Sequence, residues 1–195
     1  MRAGRPRAFD ADSALNSALQ VFWRKGYEGT SLTDLTDAMG INRPSLYAAF
    51  GNKEELFRKA LDRYGEIHFP VFSAALALPK ARDSMLAVLL GMADAQTAPD
   101  SPSGCLTVTG GLASSAEADP VREELGLRRN LCEASIRQRL ERAVLEADLP
   151  AAESAATLAK YIAMVAQGMA VQASSGASRE ELHQMARTAM RAWPA

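Results

Sequence analysis

The sequence predicts an all-α protein of about nine helices, in which a three-helix unit is followed by a helical bundle. Apolar residues recur three and four positions apart along most of the chain, which is the period of an amphipathic helix. Glycine, proline and capping residues separate these stretches, and no stretch alternates as a strand would. With 195 residues, the chain could form one large domain or two smaller ones.

The first helix is predicted over residues 10–25. Its apolar residues follow the spacing i, i+3, i+4 and i+7: Leu15, Ala18, Leu19 and Phe22. Asp10 or Asp12 would cap its start, and Gly26 would end it. This helix can cover the apolar faces of the two shorter helices that follow.

Residues 31–50 have the spacing of two short helices joined by a tight turn. The first helix has one apolar face: Leu32, Leu35 and Met39. Ser31 and Asp34 form a capping-box pattern, and Gly40 suits the left-handed conformation that ends a helix. Asn42 is a suitable N-cap for the second helix. Two short helices around a glycine-containing turn are typical of a helix-turn-helix.

The remainder of the chain is also predicted to be helical. The expected helices cover 53–69, 81–97, 105–115, 120–147, 150–174 and 178–192. Pro70 should bend or interrupt the helix before it, because proline removes a helical hydrogen bond and clashes with the preceding turn. Ser178 and Glu181 form a second capping-box pattern at the last helix.

Two runs of residues carry a family resemblance. They read G-Y-x-G-T-S-L-x-D-L from Gly26 and G-I-x-x-x-S-L-Y-x-x-F-x-x-K-E-x-L-F from Gly40. Together they resemble the N-terminal domain of the tetracycline-repressor (TetR) family of bacterial transcription regulators. The resemblance implies an all-helical homodimer with a DNA-binding domain over 1–52. It also implies an effector-binding and dimerisation domain over 53–195, where an unknown small molecule controls DNA affinity.

Exposed polar residues of the motif are the candidate contacts to double-stranded DNA. Arg43 can pair bidentately with guanine in the major groove, or it contacts phosphate only. Tyr47 and Lys53 are expected to contact phosphate and fix the register. Thr30 and Ser31 can offer hydroxyl and N–H groups to a phosphate, or they act as caps alone.

Further candidates lie at the tip of the second helix and in the N-terminal arm. Asn42 begins that helix, Pro44 offers an apolar contact, and Ser45 can reach a base or the backbone. In the arm, Arg5 and Arg7 resemble the arginines that enter a narrow minor groove; the alternative is a basic tail that adds only salt-dependent affinity.

Two apolar stripes near the C-terminus predict a dimer interface. They consist of Leu158, Ile162, Val165 and Met169, and of Leu182, Met185, Ala189 and Trp193. By periodicity alone, both stripes fit the chain's own core equally well. The family resemblance favours a four-helix bundle formed by these helices from two copies of the chain. The resulting homodimer would read a palindromic operator with its two recognition helices.

Two features of the sequence bear on the signal that controls DNA binding. A pocket could be lined by Phe69, Phe72, Met85, Met92 and Leu106, although the same pattern is typical of plain core. Cys105 would stand at the start of a helix, where the helix dipole favours a thiolate. It is therefore a candidate sensor of oxidants or electrophiles; the alternative is an inert buried thiol. Cys132 is expected in the core.

Several function classes are disfavoured. No run of 18 apolar residues is present, so we expect no membrane span. Two cysteines without a signal peptide favour the cytoplasm. His68 and His183 have no metal-ligand spacing around them, and we find no catalytic or cofactor motif. We therefore expect no metal, no cofactor and no enzyme activity. The remaining alternative class is a helical ligand-binding protein that does not bind DNA.

Overall fold

The computed structural model describes residues 9–111 and 118–194, and in these ranges every regular element is a helix. The helices are α1 (Ala11–Lys25), α2 (Leu32–Met39), α3 (Arg43–Phe50), α4 (Lys53–Leu76), α5 (Ala81–Gln96), α6 (Leu106–Thr109), α7 (Asp119–Leu145), α8 (Ala155–Ser174) and α9 (Arg179–Ala189). A short 3-10 turn, Met190–Ala192, follows α9. The predicted all-α class is confirmed.

The predicted helix caps are present. Ser31 Oγ accepts a hydrogen bond from the Asp34 N–H at 3.0 Å, and Asp34 Oδ2 accepts one from the Ser31 N–H at 2.9 Å. Gly40 ends α2 in the left-handed region, at φ 65°. Asn42 Oδ1 accepts from the Ser45 N–H at 2.9 Å and so begins α3. These contacts satisfy N–H groups that the first turn of a helix leaves unpaired.

Of the two effects expected at Pro70, a bend or an interruption, the interruption does not occur. α4 continues through Pro70 to Leu76. The carbonyl that loses its partner belongs to Glu66, one turn earlier, and both residues are exposed. Water can therefore solvate that carbonyl, and the helix need not stop.

Two other helix boundaries differ from the sequence prediction. α8 begins at Ala155 and not at residue 150, because Ser154 caps it and residues 150–153 form a turn closed by the Glu153 N–H on the Pro150 carbonyl. α6 ends at Thr109, whereas we expected a helix over 105–115. Residues 112–115 of that range lie outside the described residues.

Two apolar cores organise the fold. The N-terminal core joins α1, α2, α3 and the first half of α4, and α7 adds Val121 and Leu125 to it. The second core joins α5, α7, α8 and α9, with Ala75 from the far end of α4. α4 therefore contributes to both cores, and the domain boundary after residue 52 stays a prediction. Among the described helices, none is long and apolar enough to cross a membrane.

Stability should depend on the second core. Leu89 is fully buried in α5, whereas Leu145 at the end of α7 is 87% exposed. We expect Leu89→Ala to lower the free energy of unfolding by about 2–5 kcal/mol, because the substitution leaves a cavity. The matched substitution Leu145→Ala should change it by no more than about 0.5 kcal/mol. Urea denaturation measures both, and equal effects would contradict the assignment of Leu89 to the core.

Candidate nucleic-acid interface and regulatory cavity

The helix-turn-helix is held by one buried face. Leu35 of α2 and Leu46 of α3 are fully buried in the N-terminal core. Phe22 of α1 and Phe57 of α4 meet beneath them edge to face, with ring centroids 4.9 Å apart. α3 thus rests on a packed support that fixes its orientation.

The opposite face of α3 carries the predicted DNA contacts. Asn42, Arg43 and Pro44 are exposed at its start, and Tyr47 is 48% exposed one turn later. Ser45 is half-buried. These residues form one surface at the N-terminal end of α3, which is the end that the recognition helix of a helix-turn-helix directs at base edges.

Arg43 has a partner that the sequence did not reveal. Its Nη2 donates to Thr33 Oγ1 of α2 at 3.0 Å. Thr33 stands ten positions earlier, and no local pattern couples the two residues. The contact directs the guanidinium across the α2–α3 turn while leaving its other N–H groups for a ligand.

The structure corrects the expectation for Thr30. Its side chain is only 1% exposed, and Oγ1 donates to the Gly26 carbonyl at 2.6 Å. Thr30 therefore closes the α1–α2 connection and does not face the surface. Ser31 is exposed, but its hydroxyl and N–H already bind the Asp34 carboxylate. Ser31 therefore acts as the helix cap, whereas the Thr30 hydroxyl binds a carbonyl at the end of α1 and caps no helix N–H.

Lys53 is less exposed than expected. Its Nζ lies 4.4 Å from the centre of the Tyr27 ring, a cation–π contact. Partial burial lowers the pKa of Lys53, while Glu28 and Asp34 act in the opposite direction. The ammonium group is therefore held at the start of α4. The remaining predicted contacts, Arg5 and Arg7, lie outside the described residues.

Asp34 combines a capping role with an ion pair. Lys25 Nζ is 2.6 Å from its Oδ1. The hydrogen bond from Lys25, followed by those from the Ser31 N–H and hydroxyl, lowers the Asp34 pKa from 3.8 to about 2. The charged carboxylate thus joins the end of α1 to the start of α2.

A cavity of 660 Å³ lies between α4, α5, α7 and α8, and the segment around α6 closes one side. Of the predicted pocket residues, Phe69, Phe72 and Met92 line it. Met85 and Leu106 do not, because each is fully buried in one of the two cores. For these two residues the core alternative is correct.

Several polar groups in the cavity wall were not predicted. Tyr64, His68 and Gln96 line it, and the pKa of His68 is lowered by burial. Among the described residues, neither His68 Nε2 nor Gln96 Oε1 has a hydrogen-bond partner. These residues come from α4 and α5, and only tertiary packing brings them together.

Both cysteines line this cavity. Tyr64 Oη donates to Cys105 Sγ at 3.3 Å, and Thr107 Oγ1 lies 3.1 Å from the same sulfur. Burial, and then Cys105, raise the pKa of Tyr64 well above its usual value. Cys132 was expected in the core; it is instead exposed on α7 and faces the cavity.

The segment that carries Cys105 is bonded directly to the helix-turn-helix unit. Trp23 Nε1 of α1 donates to the Gly104 carbonyl at 3.2 Å, and the Tyr27 N–H donates to the Gly110 carbonyl at 3.0 Å. The Trp23 ring also packs edge to face on Tyr64, with centroids 4.8 Å apart. Trp23 of α1 and Tyr27, just after α1, are therefore bonded to this segment on either side of Cys105.

The proposed dimer stripes are partly buried within one protomer. Ile162, Met169, Leu182 and Ala189 belong to the second core, so for them the own-core alternative is correct. Leu158, Val165 and Trp193 are half-buried, and Met185 is 49% exposed. Met164 and Val171 are further exposed apolar residues of α8.

Within residues 9–111 and 118–194, no three His, Cys, Asp or Glu side chains form a potential metal site.

Comparison with known proteins identifies relatives of this chain. Residues 14–60 match the family described as bacterial regulatory proteins, tetR family. The chain is 37% identical over 193 residues to the HTH-type transcriptional repressor ComR of Escherichia coli K12, covering 98% of this chain and 92% of that protein.

Two solved structures of TetR-family regulators are also similar to this chain in sequence and fold. A cysteine mutant of the TetR-family regulator CifR in complex with 26-bp operator DNA is 42% identical, with a TM-score of 0.95 over 98% of this chain and 100% of the other. A putative TetR regulator from Rhodococcus sp. RHA1 is also 42% identical, with a TM-score of 0.64 over 95% and 99%.

The fold, the exposed α3 surface and these relatives define the class of helix-turn-helix transcriptional regulators. The chain belongs to the TetR family of bacterial regulatory proteins. Its relatives are regulators and not enzymes.

The Asp34 contacts should appear in the acid unfolding of the protein. Because its folded pKa of about 2 lies below the ordinary 3.8, Asp34 stabilises the fold above pH 3.8, and this contribution is lost as the pH falls through about 2. We expect Asp34→Asn to lose less unfolding free energy than the wild type across that window. Lys25→Met, which removes the largest contribution, should lie between them. Urea denaturation at a series of pH values measures the free energy of unfolding of each protein. If it falls equally with pH in all three proteins, this account is contradicted.

Proposed function

We propose that this protein is an effector-released repressor that binds a palindromic operator as a homodimer. The observation that carries the proposal is the exposed Arg43–Tyr47 surface on a buried helical support. The related CifR complex with operator DNA shows that this fold is compatible with duplex binding in a relative. In this proposal α3 enters the major groove.

The residues of the surface have different roles. Arg43 reads a base edge, since its guanidinium is exposed and held by Thr33. Tyr47 and Lys53 contact phosphate, and Lys53 does so from the start of α4. Pro44 and Ser45 complete the contact at the tip of α3, and Arg5 and Arg7 add contacts from the arm.

The homodimer would pair the exposed parts of α8 and α9. Met164, Val171 and Met185 supply apolar surface there. Leu158, Val165 and Trp193 are half-buried and can contribute their exposed portions. A two-fold axis through this surface would present two α3 helices to the two halves of a palindrome.

The signal would act in the 660 Å³ cavity. Its size fits a small molecule, and its apolar walls with a few polar groups are typical of ligand pockets. We propose that Cys105 senses oxidants or electrophiles there, because its thiol lines the cavity next to the Tyr64 hydroxyl. The alternative signal is a ligand that binds without reacting.

The signal has a short path to the DNA-binding unit. A group added to Cys105 displaces Gly104, and Gly104 accepts the indole hydrogen bond of Trp23 in α1. The same segment accepts the Tyr27 N–H through Gly110. We propose that strain in this segment shifts α1, and with it α3.

Operator binding tests the role of Arg43. We expect Arg43→Ala to weaken binding by about 1–3 kcal/mol and to relax the preference at one base position. Arg43→Lys should keep most of the charge-dependent affinity but lose the same preference, because lysine lacks the bidentate fork. Fluorescence anisotropy and binding-site selection measure these effects. An unchanged sequence preference in both variants would remove Arg43 from base reading.

If footprinting upstream of the gene detects no operator, a helical ligand-binding protein becomes the better interpretation.

Alkylation tests the signal and its path. After treatment with N-ethylmaleimide, the wild type should lose at least about tenfold in operator affinity, within the usual range of allosteric coupling. Cys105→Ser should retain its affinity. Trp23→Phe keeps the aromatic ring but lacks the N–H donor; it should be alkylated at Cys105 yet lose less affinity than the wild type. If Cys105→Ser still releases DNA, the thiol is not the sensor.

A further inference from the structure

The cavity wall contains a second thiol, that of Cys132, which the proposed sensing step does not use. Cys105 stands just before α6, and Cys132 stands in α7. Both are free cysteines, and both line the same cavity. Their separation in sequence concealed this, because 26 residues lie between them.

The direction of the chain around α6 brings the two thiols to neighbouring positions along α7. The segment 105–111 runs antiparallel to α7: Gly111 lies against Leu125, since a Cβ added to it would come within 2.5 Å of Leu125 Cδ1. Four residues earlier, the Thr107 carbonyl accepts a hydrogen bond from Arg129. Continuing this antiparallel register pairs Cys105 with position 131, next to Cys132 in α7. Leu125, Arg129 and Cys132 follow the i, i+4 and i+7 spacing of one helix face.

The surroundings of the two sulfurs are shared. Desolvation raises the pKa of Cys132, and Cys105 raises it further. After burial, both cysteines raise the pKa of Tyr64, and the Tyr64 hydroxyl donates a hydrogen bond to Cys105 Sγ. Because the raised pKa disfavours the Cys132 thiolate, Cys105 is the sulfur that reacts first.

We propose that Cys105 and Cys132 form a redox dithiol, which closes into an intramolecular disulfide when an organic hydroperoxide enters the cavity. This inference rests on the proposed sensing by Cys105 and adds the chemistry that follows it. The apolar walls, which include Phe72 and Met92, favour an organic hydroperoxide over a small polar oxidant.

The reaction balances in two steps. The Cys105 thiolate attacks the terminal oxygen of the hydroperoxide, the O–O bond breaks, and the alkoxide takes a proton and leaves as an alcohol. Cys105 is then a sulfenic acid. The Cys132 sulfur attacks it, the S–S bond forms, and the hydroxyl leaves as water with the Cys132 proton. The dithiol loses two electrons, and the O–O bond accepts them.

Disulfide closure would also transmit the signal. An S–S bond of about 2.0 Å draws the segment around Cys105 towards α7. Gly104 is the neighbouring residue, and its carbonyl holds Trp23 of α1. The bond therefore pulls on the contact that joins this segment to the DNA-binding unit.

The test treats reduced full-length protein with cumene hydroperoxide in small steps, followed by alkylation and peptide mass spectrometry. The wild type should yield a Cys105–Cys132 linked peptide within one chain, in step with a loss of at least about tenfold in operator affinity. Dithiothreitol should restore that affinity. Cys132→Ser should stop at a sulfenic acid on Cys105 that dimedone traps. With excess peroxide this variant should pass to the sulfinic acid, which dithiothreitol does not reduce.

Controls separate this inference from the function on which it depends. Cys132→Ala repeats the test if the serine variant folds poorly, with circular dichroism as the check. If the wild type is oxidised at Cys105 while Cys132 stays free, or if the disulfide links two chains, the dithiol is overturned and sensing by Cys105 remains. If Cys105 is not oxidised at all and DNA stays bound, the dithiol and the sensing of oxidants both fail, and the alkylation experiment alone decides whether Cys105 senses electrophiles.

Discussion

Packing of α1 against the first half of α4 is the constraint on which the rest of the structure depends. Phe22 and Phe57 are both fully buried at this contact. α2 and α3 have eight residues each, too few to be stable alone, and they bury Leu35 and Leu46 on this support. The exposed face of α3 is consequently presented in one orientation. A movement of α1 relative to α4 would reorient that face.

The cavity is connected to this helical support by a hydrogen bond as well as by aromatic packing. One wall is α4 itself, through Tyr64 and His68, whose rings are 4.4 Å apart. Trp23 of α1 packs on both rings and also holds the Gly104 carbonyl. The cavity, Cys105 and the helix-turn-helix unit are therefore neighbours. This proximity gives a reaction at one thiol a short path to the DNA-binding surface.

Prediction from sequence succeeded where the interactions are local. The capping boxes at Ser31 and Ser178 and the left-handed Gly40 lie within a few residues of their partners, so their spacing identifies them. At Pro70 the sequence left a bend or an interruption open; the helix is not interrupted, because the exposure of Glu66, which makes an unpaired carbonyl tolerable, depends on what packs around α4. Thr30 was misjudged for a similar reason: a hydroxyl at a helix start can face inward or outward, and its burial chooses between them.

By itself, the sequence determined the helical class, the order of the elements, the helix-turn-helix and the family. These follow from helical periodicity, caps and a long motif, which are properties of neighbouring residues. Tertiary structure alone decided which apolar stripes are core, as for Ile162 and Met85, and which residues line the cavity. It also joined Arg43 to Thr33, Trp23 to Gly104, and the two cysteines to one cavity. Periodicity states that a helix face is apolar, but only the packing of distant helices determines what that face meets.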